Sequence, residues 1–539
     1  MTENPKIDPN VVNSNKDGDQ HTSNKKGGKH PGRRNKGHKD NDRKDDKQHL
    51  KGSNSINWIV NSTTTKMRDA VARLPFGIPT GMSQALWVED GEAINENFIV
   101  PGIATLYLWI VAGDGRSGDS ALNIAAQMQY SHIRRQNSRS GGYVRSDLTI
   151  YNLAIGQCLA YLGWCVRLAR LLNAYDVTNR YTPASLVKAQ RVDFNDLSAN
   201  QANFMAWITQ FASKLRGLPI PNNIPYFANC LYAFSRIYMD GDISKAQYYQ
   251  FAPAGFGVYE SATSKTGSQV AYYAFTSSIG NLASARSIMA FGDRLVNALL
   301  GDSLVGLIGA EILRAYEGNL LDIPTLTLME LQSPIVAEKE PELLLQIHNA
   351  TFFHVPVMDG TTPSIRYYQT IPTSADIAPY VSFEISDTVN IAAVCQSRTN
   401  SILDCFSANP SADEVQLATR LHPNVSVLYG DESEAVVQLN GFEMYIPDQI
   451  SFMRYPSDTI STLNVTSCYA PDEVYTYVAY APVFDWAPLY YFCSYNTQIA
   501  GNQTLVLGDV QNPLVVDQTT VSNIHTVSIY SLFNVPYNG

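Results

Sequence analysis

Residues 148–166 read LTIYNLAIGQCLAYLGWCV, a window of 19 residues without a charged side chain. Its length would just suffice to cross a bilayer. Two side-chain amides, two glycines and two tyrosines lower its hydropathy, however, and its apolar residues recur at helical intervals. These residues are Leu148, Tyr151, Ile155, Leu159, Leu162 and Val166, continued by Leu172. The pattern favours a long helix that begins near Asp147 and is buried in a large helical domain.

Shorter helical patterns flank this window on both sides. Residues 121–133 place an apolar stripe along one side of a helix that Asp119 and Ser120 are positioned to cap. Similar periodicity predicts helices over residues 197–215, 278–300 and 304–316, and prolines at 219, 221 and 225 predict an extended interruption. Residues 56–348 are therefore expected to form a mainly helical domain.

The sequence changes character after residue 349. Short β-branched and aromatic runs, bounded by Pro, Gly, Asn and Asp, predict strands over residues 364–371, 380–385, 435–439 and 474–480. A chain of 539 residues also exceeds what one hydrophobic core usually organises. We therefore expect an α+β protein in which the helix-rich domain is followed by a β-rich domain at 349–539.

The formal net charge of −10 conceals an asymmetry along the chain. Residues 1–51 contain 13 Lys+Arg and 8 Asp+Glu, a balance of +5, which leaves 26 basic and 41 acidic residues, or −15, for the remainder. Only 16% of all residues are charged, against about 25% in ordinary soluble proteins. A cationic segment attached to an anionic, sparsely charged body indicates a polyanionic partner for that segment and uncharged contact surfaces on the body.

The first 55 residues contain almost no large apolar side chains, so they cannot bury enough surface to offset chain entropy. We expect a disordered basic arm at 1–55. A solvated charge run is the plain interpretation of this segment, and contact with RNA phosphates is the functional one. The residues predicted to bind RNA are Lys25, Lys26, Lys29, Arg33, Arg34, Lys36, Lys39, Arg43, Lys44 and Lys47. No aromatic RNA-recognition motif accompanies them, so binding without base specificity is expected.

Two motifs resemble enzyme signatures. Gly113-Asp-Gly115-Arg-Ser-Gly118 follows an apolar run and precedes a helix, as a dinucleotide fingerprint does, but no second strand ending in an acidic residue follows about 20 residues later. Ser185-Leu-Val-Lys188, Ser198-Ala-Asn200 and Lys265-Thr-Gly267 resemble a serine acyl-transfer set, but the middle element lacks its Asp and lies too close to the first. We interpret both as chance matches and predict no catalytic or cofactor-binding residue.

The cysteines and histidines indicate neither a disulfide framework nor a metal site. Seven cysteines form an odd count without a C-x-x-C pair, which fits a reducing compartment. His348 and His354 lie six residues apart with no neighbouring cysteine or carboxylate cluster, so no metal ligand is predicted. The polar residues after Met1 predict no secretory signal.

Seven short segments are spread over about 465 residues. They are Arg73-Leu-Pro-Phe76 with Pro79 and Gly81, Asn123-Ile-Ala-Ala-Gln127, Ala199-Asn-Gln-Ala202, Leu300-Gly-Asp302, Gln346-Ile-His348, Phe484-Asp-Trp-Ala-Pro488 and Ser531-Leu-Phe-Asn-Val-Pro536. Taken in this order, they resemble picobirnavirus capsid proteins. The resemblance implies a predominantly helical shell domain at 56–348 and a β-rich projecting domain at 349–539, part of which can return to the shell.

The same resemblance implies a function without a cofactor. Symmetric dimers would build a small icosahedral shell around double-stranded RNA segments and the viral RNA-dependent RNA polymerase, in the virion and, during assembly, in the host cytoplasm. Some relatives trim their arm, but no motif in this sequence indicates a cleavage position. Four aspartates between residues 40 and 46 dilute the positive charge of this arm relative to the family pattern.

Two other functions compete with the capsid prediction. A nucleic-acid-binding protein that does not assemble would use the same basic arm. A transient membrane contact during entry would use residues 148–166. An enzyme is the least favoured class, because both catalytic motifs fail on their spacing.

Overall fold

The computed structural model describes residues 65–73, 83–85, 88–89, 92–93, 97–99, 101–115, 117–137, 142–174, 181–241, 247–263, 266–275, 282–323, 328–353, 355, 363–373, 378–385, 400–429, 435–454, 460–463, 481–488, 493–497, 501–505 and 511–535. The helices are α1 (Thr65–Ala72), α2 (Ala121–Gln136), α3 (Arg145–Asn173), α4 (Tyr181–Lys188), α5 (Phe194–Ala199), α6 (Gln201–Leu215), α7 (Pro225–Ala233), α8 (Ala285–Leu300), α9 (Ser303–Ala315), α10 (Leu328–Gln332), α11 (Pro341–His348), α12 (Ala412–Ala418) and α13 (Gln518–Leu532).

The strands are β1 (Ser83–Ala85), β2 (Val88–Glu89), β3 (Glu92–Ala93), β4 (Asn97–Ile99), β5 (Pro101–Ile110), β6 (Tyr238–Met239), β7 (Tyr248–Pro253), β8 (Gly255–Glu260), β9 (Gln269–Ala274), β10 (Ile365–Thr370), β11 (Tyr380–Ile385), β12 (Asn400–Asp404), β13 (Asn424–Tyr429), β14 (Ala435–Gly441), β15 (Tyr445–Arg454), β16 (Ile460–Leu463), β17 (Cys493–Thr497), β18 (Gly501–Leu505) and β19 (Pro513–Asp517). The predicted α+β class is confirmed.

Contacts divide the chain into two units, residues 1–76 and residues 77–539. Within the first unit the described residues form α1 and the turn that follows it. All the other helices and strands belong to the second unit.

The strand β5 lies at the centre of a five-stranded sheet with the order β16-β15-β5-β7-β6. It pairs antiparallel with β15 and parallel with β7, so that Leu106 lies between Ile450 and Phe251. Residues 103–110 are buried on both faces of the sheet. This burial explains why β5 reads as a continuous apolar run without the alternation of a half-exposed strand.

The second sheet has four strands in the order β11-β10-β9-β8, all antiparallel. Its strands β8 and β9, together with β7, lie inside the segment that helical periodicity dominates, and the sequence analysis did not anticipate them. They are short runs of aromatic and small residues, such as GFGVYE and QVAYYA, which suit a pleated, buried surface.

The long helix predicted from residues 148–166 is confirmed as α3. It has 29 residues and runs through the main core with 24 of them buried. A β-carbon on Gly163 would lie 2.1 Å from the carbonyl oxygen of Leu231, so the backbones of α3 and α7 meet without a side chain between them. Among the described residues, no single helix meets the length and hydropathy expected of a membrane span.

Most other predicted elements are found, with shifted ends. The segment 197–215 is divided at Asn200 into α5 and α6, and the helix predicted from residue 278 begins at Ala285. The predicted strands at 364–371, 380–385 and 435–439 are found as β10, β11 and β14, whereas residues 474–480 lie outside the described residues.

Two local predictions were wrong. Ser120 occupies the N-cap position of α2, but its hydroxyl does not cap the backbone; it accepts a hydrogen bond from Asn123 Nδ2 at 3.0 Å. The extended interruption ends earlier than the prolines suggest, because Pro225 begins α7. Proline is well tolerated there, since the first turn of a helix has no intrahelical partner for its backbone N–H.

Residues 349–539 contribute to both large sheets. Strands β10 and β11 extend the sheet of β8 and β9, while β15 and β16 extend the sheet of β5. Part of residues 349–539 therefore pairs with strands that precede residue 349. The division into a shell domain and a projecting domain stays a prediction.

Candidate functional site

The glycine-rich loop at 113–118 is packed against other parts of the chain. Gly113 has a positive φ of +63°, its N–H donates to the Glu443 carbonyl at 2.8 Å, and its own carbonyl accepts from the Tyr367 hydroxyl at 2.7 Å. A β-carbon on Gly115 would lie 2.5 Å from the Val381 carbonyl oxygen. The close approach that glycine permits is to the Ile529 side chain at Gly113 and to strand β11 at Gly115, and both glycines therefore have a packing role.

The first two of the three elements that resemble an acyl-transfer enzyme lie on two consecutive short helices. Ser185 and Lys188 belong to α4, and Ser198 belongs to α5. Asn200 follows α5 and donates from its side-chain amide to the Asp196 carbonyl at 2.9 Å. Lys265 lies outside the described residues.

A pocket of about 360 Å³ opens where α11, β12 and two loops meet. Its lining residues are Leu345, His348, Asp404, Cys405, Phe406, Asp485, Trp486, Gln511 and Asn512. Local structure positions the two central side chains: His348 is the last residue of α11 and Asp404 the last of β12. The indole of Trp486 lies edge-on to the His348 ring at 5.9 Å.

His348 and Asp404 form a buried hydrogen-bonded pair in this pocket. His348 Nε2 lies 3.2 Å from Asp404 Oδ2, and His348 Nδ1 lies 2.7 Å from the Ala487 carbonyl oxygen. Both ring nitrogens of His348 are thus within hydrogen-bond distance of protein oxygens. Asp404 also accepts from the backbone amides of Gln511 and Asn512.

The hydrogen bonds to Asp404 decide its ionisation. Burial raises the pKa of this carboxyl, but the donors at His348, Asn512 and Gln511 outweigh it and hold the pKa below its usual value. Asp404 is therefore a carboxylate at neutral pH, and it joins α11, β12 and the chain before β19.

The neighbouring thiol is not a nucleophile. Burial, together with the charges of Glu414 and Asp404, raises the pKa of Cys405 to about 11. A catalytic cysteine needs a lowered pKa, because the thiolate is the reactive form. Although cysteine, histidine and aspartate lie in one pocket, their electrostatics fit a structural joint and not covalent catalysis.

The described residues contain no group of three or more His, Cys, Asp or Glu side chains able to hold a metal ion. His348 has both ring nitrogens engaged with protein atoms, and His354 lies outside the described residues. His348 is therefore not available as a metal ligand in this arrangement.

A second buried polar cluster holds the helix α13 in place. His525 Nε2 donates to the Thr419 carbonyl at 3.1 Å, and His422 Nδ1 lies 2.7 Å from the Thr351 hydroxyl. Burial lowers the pKa of both histidines, and for His422, which also faces His525, the pKa falls to about 4. Both rings are therefore neutral at pH 7. The sequence analysis missed this cluster, because its hydrogen-bonded partners lie 71 and 106 residues apart and share no local motif.

The ten residues predicted to bind RNA, from Lys25 to Lys47, lie outside the described residues. Their role stays a prediction.

Comparisons with known proteins agree with one another. A family model described as picobirnavirus capsid protein matches residues 60–446. The capsid protein precursor of Human picobirnavirus (strain Human/Thailand/Hy005102/-) is 25% identical over 507 residues, which cover 87% of this chain and 89% of the relative. A crystallographic structure of the picobirnavirus capsid matches with a TM-score of 0.69 at 18% identity, covering 90% of this chain and 98% of that one. The structural match shows that the fold is shared over nearly the whole capsid chain.

Proposed function

The chain belongs to the picobirnavirus capsid protein family, and we propose on this premise that it assembles as symmetric dimers into a small icosahedral shell enclosing double-stranded RNA segments. A capsid protein is a structural component of the virion, so association is its function. The observation that carries the proposal is the fold match, which covers 98% of a chain that forms a picobirnavirus capsid. A closed shell multiplies one weak interface over many identical copies.

The charge distribution supports the proposed contact with RNA. Residues 1–51 carry +5 and the rest of the chain −15. A cationic arm on the inner side of an anionic shell would concentrate Lys and Arg near the genome. Binding would depend on counterion release, and it would therefore be sensitive to salt and independent of sequence. In this proposal the ten basic residues between Lys25 and Lys47 make the contact.

The remaining elements of the proposal concern partners and place. The shell would also enclose the viral polymerase, and assembly would take place in the host cytoplasm. No catalytic step is part of the proposed role, and the raised pKa of the Cys405 thiol fits a protein that works by association.

Expression of the full chain, followed by sedimentation and electron microscopy, tests assembly directly. We expect closed particles of megadalton mass that hold nuclease-resistant RNA. A chain that remains monomeric or dimeric at every salt concentration would instead support the non-assembling nucleic-acid-binding protein.

The arm is tested by replacing its ten predicted residues with Gln, and a variant with every Lys and Arg exchanged for the other is the matched control. The Gln variant should form particles with several-fold less protected RNA, while the exchanged variant should package normally. Equal packaging by the two variants would remove the arm from the proposal.

Transient membrane contact during entry is tested with dye-loaded liposomes. Residues 148–166 would be the contacting segment, although α3 buries them in this structure. Retention of the dye at both neutral and acidic pH would exclude this role.

A further inference from the structure

The helix α9 directs its acidic side chain inward and apolar side chains outward, the reverse of an ordinary surface helix. Its acidic residue, Glu311, points inward, where its carboxylate accepts from the Tyr143 hydroxyl at 2.8 Å and pairs with Arg134 at 3.4 Å. Its outward positions are Ser303, Gly306, Leu307, Ala310, Leu313 and Arg314. A surface helix normally turns charged and polar residues outward, and a helix that is apolar all round is normally buried.

The outward positions of α9 form one continuous face. At 100° per residue they fall within about 120° of the helix circumference, with Ala310 near the middle. Leu307 and Leu313 are 39% and 51% exposed, and Leu300 at the end of the preceding helix α8 is 46% exposed. Exposed apolar residues that lie together on one element mark an interaction surface, whereas single ones do not. We call this surface, residues 300–314 on their outward side, the α9 face.

The centre of the α9 face allows another helix to approach closely. A β-carbon placed on Gly306 would meet no atom within 4 Å, and Ala310 one turn later is exposed. Small residues one turn apart let two helix backbones approach to about 8 Å, where flanking leucines interdigitate. The leucines at 307 and 313 lie on the two sides of this small centre.

The few charges on the α9 face fit a second copy of the same face. If two copies of α9 cross antiparallel, with Leu307 of each opposite Ala310 of the other, Arg314 of each lies near Asp302 and Ser303 of the other. Asp302 is a carboxylate at neutral pH, because hydrogen bonds lower its pKa in spite of partial burial. The pairing brings apolar residues together at the middle and opposite charges together at both ends.

A membrane would be a different occupant of the same face. The helices α8 and α9 meet at 73°, and as a bent pair they satisfy a length and hydropathy criterion for a broken membrane span or a re-entrant loop. However, their inner sides are part of the main core: Leu295, Leu299, Ile308 and Ile312 are buried there. Inserting the pair would strip these residues from the core, so a protein partner requires less rearrangement.

We propose that the α9 face is a subunit contact at which two copies of this chain pair antiparallel about a twofold axis. This inference rests on the proposed assembly, and it adds the surface through which two subunits meet. Twofold contacts are isologous, so each copy uses the same residues.

Charge substitution of the leucines tests the surface. Leu307→Glu and Leu313→Glu place two carboxylates on the face without touching the core, and pairing would then bring four carboxylates together. We expect at least a tenfold loss of particles for the double variant, with an unchanged thermal midpoint for the dissociated subunit. The matched control is Ile371→Glu with Val515→Glu, because both are apolar residues outside α9 that are more exposed than the two leucines. The control should assemble like the unaltered chain.

Cross-linking tests the pairing itself. Ala310→Cys on two antiparallel helices lies within reach of a short bismaleimide, and the described cysteines at 158, 165, 230 and 405 are buried. A covalent dimer in assembled particles is expected, and the Ile371→Cys variant should give none.

The outcomes separate this inference from the proposed function. If the unaltered chain never forms particles, the assembly proposal fails. If the unaltered chain assembles and the double Glu variant assembles equally well, the α9 face is not a subunit contact. Loss of assembly without cross-linking at residue 310 would overturn the pairing of α9 with itself, and loss of liposome binding with intact assembly would assign the face to a membrane.

Discussion

Arg167, completely buried in the C-terminal part of α3, donates a 2.6 Å hydrogen bond from Nη2 to the side-chain oxygen of Gln190. The same oxygen accepts from the Trp164 indole at 2.8 Å. Burial lowers the pKa of Arg167 to about 9, so the guanidinium is still charged at pH 7. The neutral Gln190 amide is thus a hydrogen-bond acceptor for the buried Arg167 cation. Arg167 donates a second hydrogen bond to the Arg236 carbonyl at 3.1 Å.

Gln190→Leu should lower the free energy of unfolding by roughly 3 kcal/mol, because it leaves a buried cation and an indole N–H without this acceptor. The double variant with Arg167→Leu should recover part of that loss, since both polar groups are then gone. Urea denaturation of the dissociated subunit measures both. Gln136→Leu, an exposed amide on α2, is the control and should change little. A Gln190→Leu variant as stable as the unaltered chain would contradict the assigned role.

Gly163→Ala should destabilise the protein although alanine is the better helix former by about 1 kcal/mol. Its β-carbon would lie 2.1 Å from the Leu231 carbonyl oxygen, and backbone cannot rotate away as a side chain can. A net loss of roughly 1–3 kcal/mol is expected from forcing α3 and α7 apart. The thermal unfolding midpoint of the variant shows whether the substitution stabilises or destabilises the protein. Gly142→Ala, whose β-carbon would meet nothing within 4 Å, should be neutral.

Acid should destabilise the subunit between about pH 6.5 and pH 4. In that window an unfolded chain protonates His422, whose ordinary pKa is 6.5, but the folded chain does not, because its pKa is about 4. The unfolded state therefore binds more protons, and stability falls as the pH falls, by about 3 kcal/mol at most for this residue. The buried His525, which also has a lowered pKa, acts in the same direction.

The variant His422→Asn keeps a polar atom near the Thr351 hydroxyl and removes the titration. We expect its unfolding free energy to vary less with pH in this window, whereas His132→Asn, at an exposed position on α2, should keep the original slope. Equal slopes for the unaltered chain and the His422 variant would assign the acid sensitivity to other groups.

Asp404→Asn should cost about 3 kcal/mol at neutral pH, because it replaces a buried carboxylate that accepts from the backbone amides of Gln511 and Asn512 and lies 3.2 Å from His348 Nε2. A lowered carboxylate pKa contributes stability that is present above the unfolded value of 3.8 and lost as the pH falls through the folded value. The difference in unfolding free energy between the unaltered chain and the Asp404 variant should thus disappear in strong acid, below the pH range in which His422 acts. Guanidinium denaturation measures the free energy of unfolding of this variant. Asp485→Asn, at an exposed carboxylate in the same pocket, is the control.

Local patterns in the sequence were sufficient for α3, for the strands β10 and β11 and for the family, whose model matches residues 60–446. Residues 148–166 combine a strong 3.6-residue period with the absence of charge, and such a signal survives any tertiary context. The strands β7 to β9 were missed because short aromatic runs between helices have no distinctive period. Their conformation is decided by pairing with strands far away in sequence.

The polar contacts could not be predicted at all from local sequence. His348 meets Asp404 at a separation of 56 residues, and Glu311 meets Tyr143 at a separation of 168. Glu311 in particular looks like a solvent-exposed acid within an apolar helix, and only the packing of α9 against α2 reveals that the helix faces the other way. Such pairings depend on the assembled fold.

The central strand β5 has its antiparallel neighbour β15 about 340 residues further along the chain. At 5–20 residues per second, a ribosome needs roughly 20–70 s to deliver β15 after β5 has emerged. During that interval the nascent polypeptide exposes one unsatisfied backbone edge of its most apolar strand, a natural target for chaperones. Prematurely terminated products can never cover that edge. Completion of translation is thus a physical precondition for a finished building block, and incomplete chains would be kept out of the particle.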